Sequence, residues 1–163
     1  TLISAKGDQE TSRIVKGWVA NLATAPFGND TDMLKAIAAG QCDVGISNHY
    51  YLARLIKERA DFPVRVFWAN QETGGVHFNI FGAGLAKSAR NHAAAIKLLE
   101  WFASDKGQQM VAAANLEFPV KSGVEVAPLI KGWGEPKPSL VNISNAGRLQ
   151  ADAVKLMDRA KYR

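Results

Sequence analysis

A single cysteine, Cys42, excludes an internal disulfide and any multi-cysteine metal site, and it is compatible with both reducing and oxidising compartments. No uninterrupted apolar run reaches membrane-spanning length, so an α-helical span is excluded. There is no G-x-S-x-G, no Glu pair in a glycosidase context, and no Lys-Ser/Thr after "GAG" at Gly82-Ala83-Gly84, which leaves that stretch as close backbone packing rather than a phosphate loop. Internal repeats and low-complexity segments are absent. The chain opens "TLISAKGDQE" without an initiator Met, a basic leader or a small-residue cleavage site, the expectation for a mature chain or a fragment.

What is present reads as a globular α/β protein: 163 residues, 47% hydrophobic and 21% charged, enough for one sizeable core or for a complete lobe plus part of another. A net charge of +5 invites a nucleic-acid reading, but Lys16, Lys35, Arg54, Lys57, Arg59, Lys97, Lys155 and Arg159 are dispersed over polar helix faces, without interleaved exposed aromatics. No nucleic-acid partner is expected.

Along the chain, helical periods alternate with short extended runs. Asp8 or Thr11 can cap a helix carrying Ile14, Val15, Trp18, Val19 and Leu22 on one face, which "ATAPFGND" ends. Asp30 or Thr31 can cap "DMLKAIAAG", with Met33, Leu34 and Ile37 inward and Gly40 in the left-handed terminal position. "CDVGIS" reads as a buried strand, "YLARLIKERA" as a helix, and "FPVRVFWAN" as a strand alternating at Val64, Val66 and Trp68. "VHFNIFGAGLA" is a further strand, Asn91 caps "HAAAIKLLEWFA", Ser104-Asp105 restarts a helix, and Leu149, Ala153, Leu156 and Met157 share a face of the last one.

Most of the notable side chains have ordinary roles. Asn29 and Asp30 are explained by helix capping, His77 by hydrogen bonding at a strand end, His92, Asp43, Glu58 and Glu100 by surface or capping positions, and Cys42 by packing. Tyr50-Tyr51, in "CDVGISNHYYLARL", is different. Adjacent residues on a regular helix diverge by about 100°. At a strand-to-helix junction the first tyrosine need not be helical, so both phenols can turn to one point beyond the strand's carboxyl end, where ligands bind in open α/β sheets.

A phenol has a pKa near 10 and ligates only a cation acidic enough to displace its proton. Fe(III) does so, whereas Ca(II) and Mg(II) prefer carboxylates and carbonyls, and Zn(II) prefers imidazole and thiolate. A helix N-terminus beneath the phenolates favours the anionic form and a bound counter-anion, to which Asn48 can donate.

"IAAGQCDVGISNHYYLARL", "FNIFGAG", "FPVKSGV" and "AVKLMDRA" resemble the carboxyl-terminal part of the ferric-iron-binding, periplasmic solute-binding proteins of bacterial iron(III) ABC importers. The resemblance implies a periplasmic-binding-protein-like (class II) lobe of alternating strands and helices with an incomplete second lobe. Residues 1–79 would form the second-lobe segment with the tyrosine pair, 80–131 would belong to the first lobe, and 132–163 would return to the second with the terminal helix. It also implies Fe(III) bound by Tyr50 and Tyr51 with a synergistic anion (carbonate, phosphate or similar) held by Asn48. The further ligands lie on an amino-terminal lobe missing here.

The location implied is periplasmic and the partner a membrane permease; the mechanism is lobe closure, not catalysis. Two departures stand out: His49 replaces the usual Asn, Thr or Ser, and Phe81 interrupts "NISGAG". His49 is either an extra ligand or, as favoured here, a solvent- or hinge-facing imidazole. Alternatives are a receptor of the same fold for a polyamine or oxyanion and, more remotely, an α/β enzyme using Cys42 or His49.

Overall fold

The computed structural model describes residues 1–162. The described residues form eight helices: α1 (Leu2–Ala20), α2 (Asp30–Ala38), α3 (His49–Glu58), α4 (His92–Ala103), α5 (Asp105–Asn115), α6 (Pro128–Lys131), α7 (Ile143–Arg148) and α8 (Gln150–Arg159). They sort into two compact units, one of Thr1–Ile46, Phe67–Asn79 and Pro136–Arg163, the other of Ser47–Val66 and Ile80–Glu135.

In the first unit the core is built where α1 meets α8. Val15, Leu156 and Ala160 are buried together, with Ile3, Val19, Met157 and Tyr162 packed around them. The inward face read from the last helix is correct, although that helix is broken into α7 and α8 at Leu149. The first helix starts earlier than expected and bends at Gly7, whose φ of 78° is outside the helical range. Neither expected cap acts as one: Asp8 receives Arg159 of α8 at 3.2 Å, and the Thr11 hydroxyl donates to the Gly7 carbonyl at 2.7 Å. On α2 the cap is Asn29, which accepts from the Asp32 N–H at 2.8 Å, and Gly40 takes the expected left-handed turn at φ 73°.

The second unit holds α3 to α6. Ala53, Leu116 and Ile130 form its buried centre, against which Tyr50, Phe118, Val126 and Trp133 pack. Ser104 separates α4 from α5, its hydroxyl accepting from the Gly107 N–H at 3.1 Å, as read from the sequence. The tyrosine segment therefore packs with 80–135, whereas the resemblance keeps it with the rest of 1–79; the side chains responsible are Tyr50 and Ala53, which face Leu116 and Ile130.

The strands expected between the helices do not form ladders. Among the described residues the only pairing is one parallel bridge, Val76 to Pro138, in which Val76 N–H donates to the Lys137 carbonyl at 2.9 Å and Ser139 N–H to the Val76 carbonyl at 2.8 Å. The period of two is nonetheless present over 62–68, where Val64, Val66 and Trp68 are half-buried and Arg65 and Phe67 exposed. "CDVGIS" keeps neither feature: Val44 is 85% and Ile46 74% exposed. A strand is held by its neighbours' backbone groups, and each unit offers these segments almost none.

Candidate metal-binding site

Both tyrosines lie inside the first turn of α3, at its second and third residues, so neither is outside the helix as the junction geometry allowed. Their rings converge all the same. The centroids are 4.5 Å apart with the planes tilted by 38°, and both rings are half-buried rather than sealed in the core. Asn48, at the N-cap position, makes no capping bond with its side chain; its amide donates instead to the Tyr50 hydroxyl at 3.4 Å. The three residues picked out from the sequence are thus brought together at one helix start.

That helix start borders a pocket of about 320 Å³ lined by Tyr50, Tyr51, Arg54, Phe81, Asn115 and Glu117. Arg54, like Asn115 and Glu117, is a member that sequence reading did not assign to the site. It stands four residues after Tyr50 and three after Tyr51, the spacings that share a helix face, and its guanidinium carbon lies 5.1 Å from one ring centroid and 5.7 Å from the other. A cation over both rings is attracted to their faces and offers charge compensation to any oxyanion formed beside them. The Glu117 carboxyl is held above its ordinary range, chiefly by burial, with Arg54 pulling the other way.

Asn115 and Glu117 reach the pocket through a backbone feature. Leu116 closes α5 in the left-handed conformation, φ 60° and ψ 45°, with its own side chain buried in the unit's core. A bulky residue there is strained. Its two neighbours line the pocket.

His49 faces inward, so of the two orientations favoured from sequence, solvent- or hinge-facing, the solvent-facing one is not adopted. Its ring lies 5.1 Å from Phe118, 5.9 Å from Tyr50 and 6.4 Å from Trp133, edge-on to the last two. Burial pushes its pKa below the ordinary value, opposed by a hydrogen bond to the Leu116 backbone. Cys42 is half-buried in the first unit, and His77 and His92 are exposed. Among the described residues no group of three or more His, Cys, Asp or Glu is placed to hold a metal. Among the described residues no helix is long and apolar enough to cross a membrane.

Residues 18–109, which include the tyrosine pair, match the family model of bacterial extracellular solute-binding proteins. The chain belongs to that family. Among relatives, this solute-binding protein is 42% identical over 98% of its length to iron uptake protein A2 of Synechocystis sp., and 24% identical over 98% to the major ferric iron-binding protein of Neisseria meningitidis. Its fold matches that of Trichodesmium IdiA (FutA) in complex with iron and citrate ligands, at a TM-score of 0.93 and 42% identity, covering 99% of this chain and 53% of that one. Apo FutA2 from Synechocystis PCC6803 matches at 0.90 and 41% identity, over 99% and 54% of the two chains. The solute-binding chain spans about half the length of these relatives, 49% of uptake protein A2 and 48% of the Neisseria protein.

Proposed function

We propose that the chain supplies one half of an Fe(III) site in the substrate-binding component of a periplasmic iron(III) ABC importer, which captures iron between two lobes and delivers it to a membrane permease. Tyr50 and Tyr51 bind the metal as phenolates. Asn48 orients the accompanying anion (carbonate, phosphate, or a carboxylate of the kind named in the Trichodesmium structure) and Arg54 compensates for the negative charge gathered there. The remaining ligands come from an amino-terminal half of a longer protein, and the lobes close because the iron bridges them. The lobe segments 1–79, 80–131 and 132–163 belong to this proposal as the division of the longer two-lobed protein, whereas in this chain Ser47–Val66 groups with Ile80–Glu135.

The observation that carries it is the convergence of both phenol rings on one pocket under a single guanidinium. Phenolate chemistry selects a hard trivalent cation, and relatives sharing the fold bear names of ferric binding and iron uptake. Those names denote binding and uptake rather than turnover, which supports a carrier over an enzyme using Cys42 or His49.

A second reading, an oxyanion receptor without metal, draws support from the donors of Arg54 and Asn48; the same cation disfavours a polyamine. Colour separates the readings. Titrating the apo protein at its natural full length with ferric citrate should produce a visible phenolate-to-iron band, weakened by Tyr50→Phe or Tyr51→Phe and abolished by both together. A band that persists in the double variant removes the tyrosines from the site.

A further inference from the structure

His49 stands next to the proposed ligands but does not line their pocket; its ring lies against the aromatic side chains of Phe118, Tyr50 and Trp133. It is joined by a hydrogen bond to the backbone of Leu116, the residue held in the left-handed region. The two ends of that bond belong to two walls of one pocket. On one side is the start of α3 with Tyr50 and Tyr51; on the other is the turn that presents Asn115 and Glu117.

A left-handed leucine persists only where its surroundings over-determine it. Here they do so from both directions, since the side chain is buried with Ala53 of α3 and Ile130 and the backbone is tied to His49.

We infer that His49 is a positioning residue for the tyrosine site: it clamps the start of α3 to the Leu116 turn and packs its ring in a T-shaped contact with Tyr50, fixing the phenol pair and the Asn115–Glu117 wall at one separation before any ligand arrives. This rests on the phenolate reading and deepens it. A small polar Asn, Thr or Ser at this position lacks the ring, so the clamp is particular to a chain that carries histidine here. Fixing a donor before binding removes ordering costs from the binding step. Groups that orient metal ligands from outside the coordination sphere typically change affinity by about ten- to a hundredfold when altered.

The experiment compares His49→Phe, which keeps the ring and loses the donor, with His49→Asn, which keeps a donor and loses the ring, in the protein at its natural full length with ferric citrate as the probe. Circular dichroism checks folding. Ferric affinity should fall on the order of tenfold in His49→Phe, with partial rescue in His49→Asn. The visible band should shift in energy in His49→Phe while keeping its intensity per bound iron, because both phenolates still bind.

Affinities within about twofold of the parent and an unmoved band in both folded variants would reduce His49 to core packing and overturn the inference, using the tenfold scale as the yardstick. An imidazole nitrogen coupling in the ferric electron-spin-echo spectrum, lost in His49→Phe, would overturn it by making His49 a ligand. Neither result touches the phenolate reading, which fails separately if the band survives Tyr50→Phe/Tyr51→Phe.

Discussion

Arg54 is where the chemistry of single side chains is most exposed to test. Its guanidinium lies over both tyrosine rings, and it is the cation opposing the burial that raises the Glu117 carboxyl. Replacing it by Met keeps the stem and removes the charge, so ferric affinity should drop by about 1 kcal/mol or more, measured by chelate competition. The same change should raise Glu117 further. The raised carboxyl means that the folded state holds its proton more tightly than the unfolded one. Its contribution to stability is therefore full below the unfolded carboxylate range and lost as pH rises through the folded value. Urea midpoints followed across mildly acidic pH should fall more with rising pH in Arg54→Met than in the parent, and Glu117→Gln should flatten the slope; parallel profiles in all three would refute the coupling. Arg54 was legible in the sequence through its spacing from the tyrosines, but equally so were Lys57 and Arg59 as members of a solvated face. His49 stood out in the sequence as a departure, but its orientation was not legible, because that depends on Phe118 and Trp133, distant in the chain and brought beside it by tertiary packing.

Some helix ends were readable, because caps and left-handed glycines act locally: Gly40 closes α2 and Ser104 opens α5 where the sequence placed them, whereas Asp8 and Thr11 do not cap α1 and Asn91 precedes α4 without a side-chain capping bond. Ser104→Ala should cost about 1 kcal/mol by loss of the bond to the Gly107 N–H, measured by denaturant unfolding. Strands were readable only in their period, since Val64, Val66 and Trp68 alternate correctly without a ladder to sit in. The one bridge that does form depends on Gly75. Its φ is +80°, and a β-carbon there would stand 2.5 Å from the Pro138 carbonyl oxygen, a backbone atom unable to give way. Gly75→Ala should therefore cost at least about 2 kcal/mol, above the usual left-handed penalty, and should uncouple Val76 from Pro138. Gln71 reinforces the same contact by accepting from the Lys137 N–H at 2.6 Å, so Gln71→Ala should weaken it without backbone strain. A Gly75→Ala chain that unfolds at the parent's urea midpoint would show that the bridge carries no stability.

At the scale of the molecule, the apolar side chains that remain uncovered carry the argument. In the first unit Val44 and Ile46 are 85% and 74% exposed, within the stretch whose sequence calls for a buried strand, and Phe67, on the outward side of its alternating run, is 88% exposed. Soluble proteins seldom leave apolar strand edges open, because such edges recruit other chains. The chain also spans about half the length of relatives that share its fold. Within the two-lobed protein proposed above, these exposed side chains favour strand addition from its amino-terminal half, completing the sheet that "CDVGIS" was read to belong to. Hydrogen exchange separates this from a segment that is simply exposed: in the full-length protein the amides of Val44 to Ile46 should exchange at least about a hundredfold more slowly than in residues 1–163 alone, the protection that about 3 kcal/mol of added stability confers. Equal, rapid exchange in both would mean that no strand is added there. The residue after this segment is Ser47, and the tyrosine pair follows within a few positions, so any neighbour that orders residues 44–46 also steadies the entry to α3. Ile46→Lys in the full-length protein should consequently weaken ferric binding and restore fast exchange together, although the substituted side chain never touches the metal.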